Sequence, residues 1–332
     1  MGLTPSFRIE ANRSDITTAI RERFRSLTIT DNAGIQSDSL TITLADNVPD
    51  KPILIPNTGA ELAVWIGYDR QAVKMGLFIV DEVELSGPPG MMMIRAKGAP
   101  QKRSPAGKTA IQTQKWRSWD SGLTLGDLVS TIAQEHGLDP AMPAELANKT
   151  LPHYDQVGES DINLLTRVAK TYDAFVKPAN EKLLVTKKAM SETVSGKPLP
   201  TVTVSAEELT DWSVTLQERE TYNTVTATWF DQDAAEEKTV TVGEGEPIKA
   251  MRHAFKDEAE AKSAAMSELN GRQRGKSSLT FTMPGRTDVI AESRLQLIGL
   301  RPGVNKEWLI TRATHTIDES GYRVSGAAEK PD

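Results

Sequence analysis

The chain has no cysteine among its 332 residues. That absence excludes disulfides, thiolate metal sites and thiol catalysis, and it fits a reducing compartment. Aromatic residues are scarce, at 5%, so the cores must be built from Val, Ile, Leu and Ala. No apolar run approaches the roughly 18 residues that span a bilayer, and the stretch from Met1 to Asp15 lacks the apolar segment of a secretion signal. The four histidines, His136, His153, His253 and His315, show none of the HxH, HExxH or HxxE spacings of a zinc site. No GxSxG elbow and no EF-hand loop is present.

Two stretches look like phosphate loops and are not. Gly271-Arg272-Gln273-Arg274-Gly275-Lys276-Ser277 has three residues between its glycines where the loop needs four, and Gly107-Lys108-Thr109 would need glycine where Lys102 stands. The carboxylate pairs Asp81-Glu82, Glu207-Glu208 and Glu236-Glu237 lie in no aromatic-rich cleft pattern, so they read as structural or solvated groups rather than a glycosidase pair. The candidate lists for catalytic, cofactor-binding and metal-binding residues are therefore empty. A chain of this size with good strands and caps and no convergent polar group reads as one that binds or assembles.

Charge is unevenly spread. The net charge of −6 argues against direct nucleic-acid recognition, which needs a basic surface. Yet no Asp or Glu occurs from Leu85 to Trp119, while Arg95, Lys97, Lys102, Arg103, Lys108, Lys115 and Arg117 are all basic. This segment reads either as a solvated linker or as a docking segment for an acidic partner.

Hydrophobic periodicity divides the rest. Residues 1–98 alternate with period two: Phe7 and Ile9, then Leu27 and Ile29, then Leu40, Ile42 and Leu44, with strands also at Leu62–Tyr68, Gly76–Leu85 and Met91–Ala96. Residues 99–118 read as a linker or crossing segment. Residues 119–192 change period. Thr124 and Asp127 form a capping box ahead of the stripe Leu125, Leu128, Val129, Ile132 and Ala133. Gly137 ends that helix, and His136 beside it reads as a positive charge at the C-terminal end. Ser160 caps a second helix with Asp161 in its first turn, and a strand hairpin follows. Residues 193–332 return to strands, with one helix at about 257–270 whose buried side is Ala261, Ala264, Ala265 and Leu269. The two β parts are alike in plan without a visible repeat in sequence.

With these residues in view, the chain resembles the late control D family, hub proteins of contractile phage tails. The resemblance rests on Thr124-Leu125-Gly126-Asp127-Leu128-Val129 with Glu135-His136-Gly137-Leu138, and on Asp155-Gln156-Val157-Gly158-Glu159-Ser160-Asp161 running into Leu164–Ala169. Pro5-Ser6-Phe7, Leu27–Asp31, Gly59 through Tyr68, and Gly299–Gly303 followed by Trp308 and His315 agree with it. Trp116 and Trp119 are bulkier than that crossing segment leads one to expect. The family is similar to the hub part of VgrG-type spikes and to R-type pyocin particles.

The resemblance implies a mainly β fold with an α+β insert: two small tail-tube-like barrels, at 1–98 and 193–332, around the module at 119–192. Strands near 177–215 are available to complete the first barrel. It implies a homotrimeric, non-enzymatic baseplate hub of a phage tail or tailocin, joining a threefold spike to the sixfold tube. Its expected partners are the central spike, the tail tube or its initiator, the tape-measure protein and baseplate wedge proteins, with no membrane partner. Assembly would take place in the bacterial cytoplasm. The assembly candidates are Thr124, Leu125, Asp127, Gln156, Glu159, Ser160 and Asp161; the last four read first as a helix start and second as a partner site. The alternative function is a tail-associated peptidoglycan hydrolase.

Overall fold

The structure, a computed structural model, describes residues 3–34, 36–46, 50–69, 71–98, 111–179, 182–188, 199, 201–216, 222–231, 234–274 and 277–331. The chain begins with β1 (Pro5–Ala11), β2 (Ser14–Asp15), the short α1 (Thr17–Arg21), β3 (Phe24–Asn32), β4 (Ser39–Ala45), β5 (Glu61–Tyr68), β6 (Gln71–Ser86) and β7 (Met91–Gly98). There follow β8 (Gln114–Trp119), α2 (Leu125–Glu135), β9 (Asp139–Ala141), α3 (Ala144–Ala147), β10 (Tyr154–Ser160), α4 (Asp161–Thr171), β11 (Ala174–Ala179) and β12 (Lys182–Lys187). The last part holds β13 (Thr201–Ser205), β14 (Asp211–Leu216), β15 (Thr224–Asp231), β16 (Glu236–Gly243), β17 (Ile248–Ala250), α5 (Glu258–Arg274), β18 (Ser277–Pro284), β19 (Arg294–Ile298), β20 (Glu307–Asp318) and β21 (Gly321–Glu329). The fold is mainly β with few helices, as the period-two patterning predicts.

These elements form two units. The first gathers residues 1–99, 200–214 and 279–328, and the second gathers 100–199, 215–278 and 329–332. The first is a single 13-stranded sheet in the order β14-β18-β21-β20-β3-β4-β7-β6-β5-β1-β2, with β19 beside β20 and β13 beside β19. Each strand turns alternate residues inward: Leu27 and Ile29 of β3, Leu40, Ile42 and Leu44 of β4, and Leu279, Phe281 and Met283 of β18 all lie in one core. Trp308 is its largest fully buried side chain, and its indole nitrogen donates to the Val304 carbonyl at 3.1 Å. His315 is buried in the same core. Its Nε2 donates to the Val289 carbonyl at 3.0 Å, which leaves Nδ1 to accept from the Tyr322 hydroxyl at 2.9 Å. Burial pushes the His315 pKa down to about 4, so the imidazole stays neutral at pH 7.

This grouping departs from the boundaries read from sequence. The expected domain 193–332 is divided: its strands at 201–216 and 277–329 join the sheet of 1–98, and 222–274 belong with the second unit. The strands near 177–215 also divide, since β13 and β14 enter the first sheet beside β19 and β18 while β11 and β12 pair with each other and with β9. The physical reason is the ladder between β20 and β3, from Arg312 opposite Asn32 to Asp318 opposite Ser26. Local periodicity says where a strand lies but not which strand it pairs with.

The second unit has two cores. One packs α2 and α4 around β8 and β10–β12, through Leu128, Ile132, Leu164, Leu165, Val168 and Val185. The other packs α5 onto β15 and β16, through Val225, Ala227, Val242, Ala261, Ala265 and Leu269. Within this unit Tyr154 donates to Glu260 at 2.6 Å, and Arg274 forks onto both oxygens of Asp173.

Two glycines report on packing in opposite ways. A Cβ on Gly285 would lie 2.1 Å from the Tyr322 ring, whereas one on Gly271, inside α5, meets nothing within 4 Å. Gly285→Ala is expected to cost about 1–3 kcal/mol, and Gly271→Ala to add about 0.4–1 kcal/mol. Urea unfolding followed by circular dichroism should show the two midpoints moving in opposite directions.

Candidate functional site

Local sequence sets the two helices that frame the site. The Thr124 hydroxyl accepts from the Asp127 amide at 3.1 Å, and the Asp127 carboxylate accepts from the Thr124 amide at 3.0 Å, completing the predicted capping box of α2. At the other end Gly137 takes φ +64°, and the amides of Gly137 and Leu138 bond back to Gln134 and Ala133 at 3.1 and 2.8 Å. That is the Schellman ending, which needs a residue free to turn left-handed at this point. It leaves Glu135 and His136 at the helix end. Ser160 caps α4, its hydroxyl accepting from the Asn163 amide at 3.4 Å, and puts Asp161 in the first turn.

The strands β8 and β10 pair antiparallel, with Gln156 opposite Arg117 and Val157 opposite Trp116. The register shifts between Val157 and Glu159, where Gly158 bulges at φ +61° against the Trp116 indole. Alternation sends Lys115, Arg117 and Trp119 to one face. The region read as a linker, 99–118, is therefore a strand over Gln114–Trp119. Trp119 is inside, and Trp116 lies outside at 70% exposed.

These elements converge on Asp161, which is completely buried. Its Oδ1 accepts from Arg117 and from Gln156, both at 2.8 Å, and its Oδ2 accepts from Lys115 and from His136 Nε2, both at 2.7 Å. Glu135 accepts from Lys115 at 2.8 Å and from Arg117 at 2.6 Å. Gln156 accepts from Arg117 Nε at 2.9 Å and donates to the Glu159 carbonyl at 2.9 Å. The Arg117 guanidinium stacks on Trp119, 4.4 Å from the ring centre.

Burial pushes the Asp161 carboxyl up, but the hydrogen bonds from Gln156, Lys115 and His136 and the charge of Arg117 outweigh it and hold it below the usual range. Glu135 is likewise held low: burial raises it, and Arg117 and Lys115 lower it further. Lys115 is held above its ordinary value, the bonds to Asp161 and Glu135 outweighing burial.

The cluster can hold charge in place, but it is not arranged for catalysis. An ionised, enclosed carboxylate with every oxygen bonded is a poor general acid and has no route to substrate. Glu135, His136 and Asp161 do bring ligand atoms within 4.8 Å of one another. However, Lys115 and Arg117 already occupy the cationic positions around both carboxylates, and a metal ion would have to displace them. The donor set does not fit a metal.

Of the residues singled out from sequence, the fold brings Gln156 and Asp161 into this cluster. Ser160 is the buried cap, while Glu159 turns its side chain to Arg167 at 2.8 Å. Thr124, Leu125 and Asp127 stand at the start of α2, away from the helix end that carries Glu135 and His136. His136 takes the C-cap position as expected, and its ring reaches Asp161. Sequence reasoning missed Lys115, Arg117 and Glu135. The signal was present in the two-residue spacing of Lys115, Arg117 and Trp119. Four cations of the acid-free segment are in fact balanced, since Arg95 pairs with Glu82 and Glu84, Lys97 with Asp81, and Lys115 and Arg117 with Asp161 and Glu135. Lys102, Arg103 and Lys108 lie outside the described residues.

The sequence profile of the phage tail baseplate hub (GPD) family matches residues 104–321, which include β8, α2, β10 and α4. The chain belongs to that family. It is a baseplate hub protein of a phage tail. A probable baseplate hub protein of Escherichia phage 186 is 29% identical, over 96% of this chain and 91% of its own. The crystal structure of the 43 kDa tail protein of prophage MuSo2 from Shewanella oneidensis shares the fold with a TM-score of 0.72, at 15% identity and 99% coverage of both chains. A chain of the half-lidded Francisella PdpA–VgrG complex matches with a TM-score of 0.56 at 10% identity, covering 99% of this chain and 58% of that one.

Asp161→Asn removes the charge that Lys115, Arg117 and His136 face. It should cost about 3 kcal/mol, the low end for a broken buried pair because both long cations reach partly into water. Asp161 and Glu135 titrate below their unfolded values, so their stabilisation is complete only above about pH 5, where both carboxyls are ionised in the unfolded chain as well, and is lost as pH falls through the lowered folded-state values. The urea midpoint of the wild type should fall more steeply at acid pH than that of Asp161→Asn. Equal acid limbs would contradict this account.

Proposed function

We propose that the protein is the structural, non-catalytic hub of the baseplate, a homotrimer that joins a threefold spike to the sixfold tail tube. The observation that carries this reading is the first unit's sheet. It is assembled from two sets of strands, β1–β7 and β13, β14 and β18–β21. On this reading each set supplies one tube-like barrel, and three copies supply six. Closed threefold symmetry then repeats each interface, so that modest surfaces add up.

The fold shared with a chain of a PdpA–VgrG complex supports a spike as one partner. The tube or its initiator, the tape-measure protein and the wedge proteins are the others, in a virion tail or a tailocin assembled in the bacterial cytoplasm. The absence of chemistry is supported by the Asp161 cluster, whose charged groups are all spent on one another.

Light scattering over a range of concentrations tests the stoichiometry. A trimer of three times 36.3 kDa is expected, either alone or as a 3:3 complex with the co-expressed spike. A chain that stays monomeric in both settings overturns the proposal. On a peptidoglycan zymogram the protein should leave no clearing, and clearing lost in Glu159→Gln would revive the hydrolase.

A further inference from the structure

The second unit carries a strand edge whose chemistry selects a partner. In the sheet order β16-β15-β17, β16 is terminal, and among the described residues no strand pairs with its outer edge. Exposed strand edges are normally blunted by a bulge, a proline or an outward lysine. Here the register with β15 runs without a shift from Gly243 opposite Thr224 to Glu236 opposite Asp231. The segment Thr239-Val240-Thr241-Val242-Gly243 contains no proline and no basic residue. Lys238, just before it, is turned onto Asp231 at 2.6 Å.

Val240 and Val242 face the α5 core, while Thr239 and Thr241 are exposed on the other face. That outer face is uncharged over its middle, with Thr226 and Thr228 beside the β16 threonines. Half-exposed Phe230 and Ile248 lie at its ends. Glu236 and Glu237 open β16 and Glu244 and Glu246 follow it, all exposed.

We propose that β16 is a docking edge for an extended segment of a different protein, one with an uncharged β-branched centre and basic residues at both ends. Backbone bonds to this outer edge would supply affinity, and the flanking glutamates would supply selection. The same glutamates argue against a second copy of this chain. Antiparallel self-pairing centred on Val240 places Glu236 against Glu244, and parallel pairing places each glutamate against its own copy. Like charges directly opposite destabilise such pairs. The proposal does not depend on the trimeric reading.

The test uses the full chain and a fluorescein-labelled peptide, Lys-Lys-Thr-Val-Thr-Val-Thr-Lys-Lys, in a low-salt anisotropy titration. The peptide should bind, the version with Glu in place of Lys should bind at least about tenfold more weakly, and the double variant Glu244→Lys, Glu246→Lys, which leaves Glu236 and Glu237 in place, should abolish that preference. N-methylation of alternate amides should abolish binding, and bound peptide should slow deuterium exchange across residues 239–243. Equal binding of the N-methylated peptide would mean a charge attraction without strand pairing, and overturns the proposal. No binding by the basic peptide would mean that the glutamates only keep edges apart, and overturns it too.

Discussion

The first unit depends on one ladder, the pairing of β20 with β3. It sets Thr30 beside Thr314, 284 positions away along the chain. Without it the sheet would be two separate sets of strands, each with a raw edge and half a core. With it, Leu27 and Ile29 share one apolar interior with Ala313, Ile317 and Trp308. The entropy of closing such a long loop rises only slowly with length, so the ladder is affordable in stability. It is costly in time, because non-local strand pairing must wait for both ends of the chain to exist. Most of the second unit is made in between, and its helices and hairpin are largely local.

That second unit is organised around a charge rather than a ladder. A carboxylate taken wholly out of water is tolerated only when its oxygens are satisfied by donors that carry compensating charge. Asp161 has four donors: the cations Lys115 and Arg117 from β8, the neutral amide of Gln156 from β10 and the His136 ring from the end of α2. Apolar packing of the same elements could be as stable, but it would not demand one register. Gln156 must stand opposite Arg117, and the Gly158 bulge must follow, for the donors to meet the acceptor. The cluster thus specifies how β8, β10, α2 and α4 are arranged.

Much of the local structure was legible in the sequence because its causes are local. Thr124 with Asp127, Ser160 with Asp161, and Gly137 mark helix ends through bonds made within a few residues of themselves. The alternation of Leu40, Ile42 and Leu44 marks a buried strand face wherever that strand pairs. The family resemblance was legible for the same reason, since it lies in the order of such local signals. Lys115 and Arg117 were not legible as site residues. In a run of seven basic residues without an acid, nothing nearby in sequence shows that their counter-charges come from Glu135 and Asp161.

The sequence by itself determined the strand and helix signals, the caps of the two helices at 125–135 and 161–171, and the family. Only the tertiary structure decided that 201–216 and 277–329 complete the sheet begun by 1–98, and that a segment read as a linker supplies the strand closing a buried charge cluster. The reason is common to both. Caps and periodicity are energies of neighbours along the chain, whereas strand partnership and the pairing of buried charges are energies of neighbours in space.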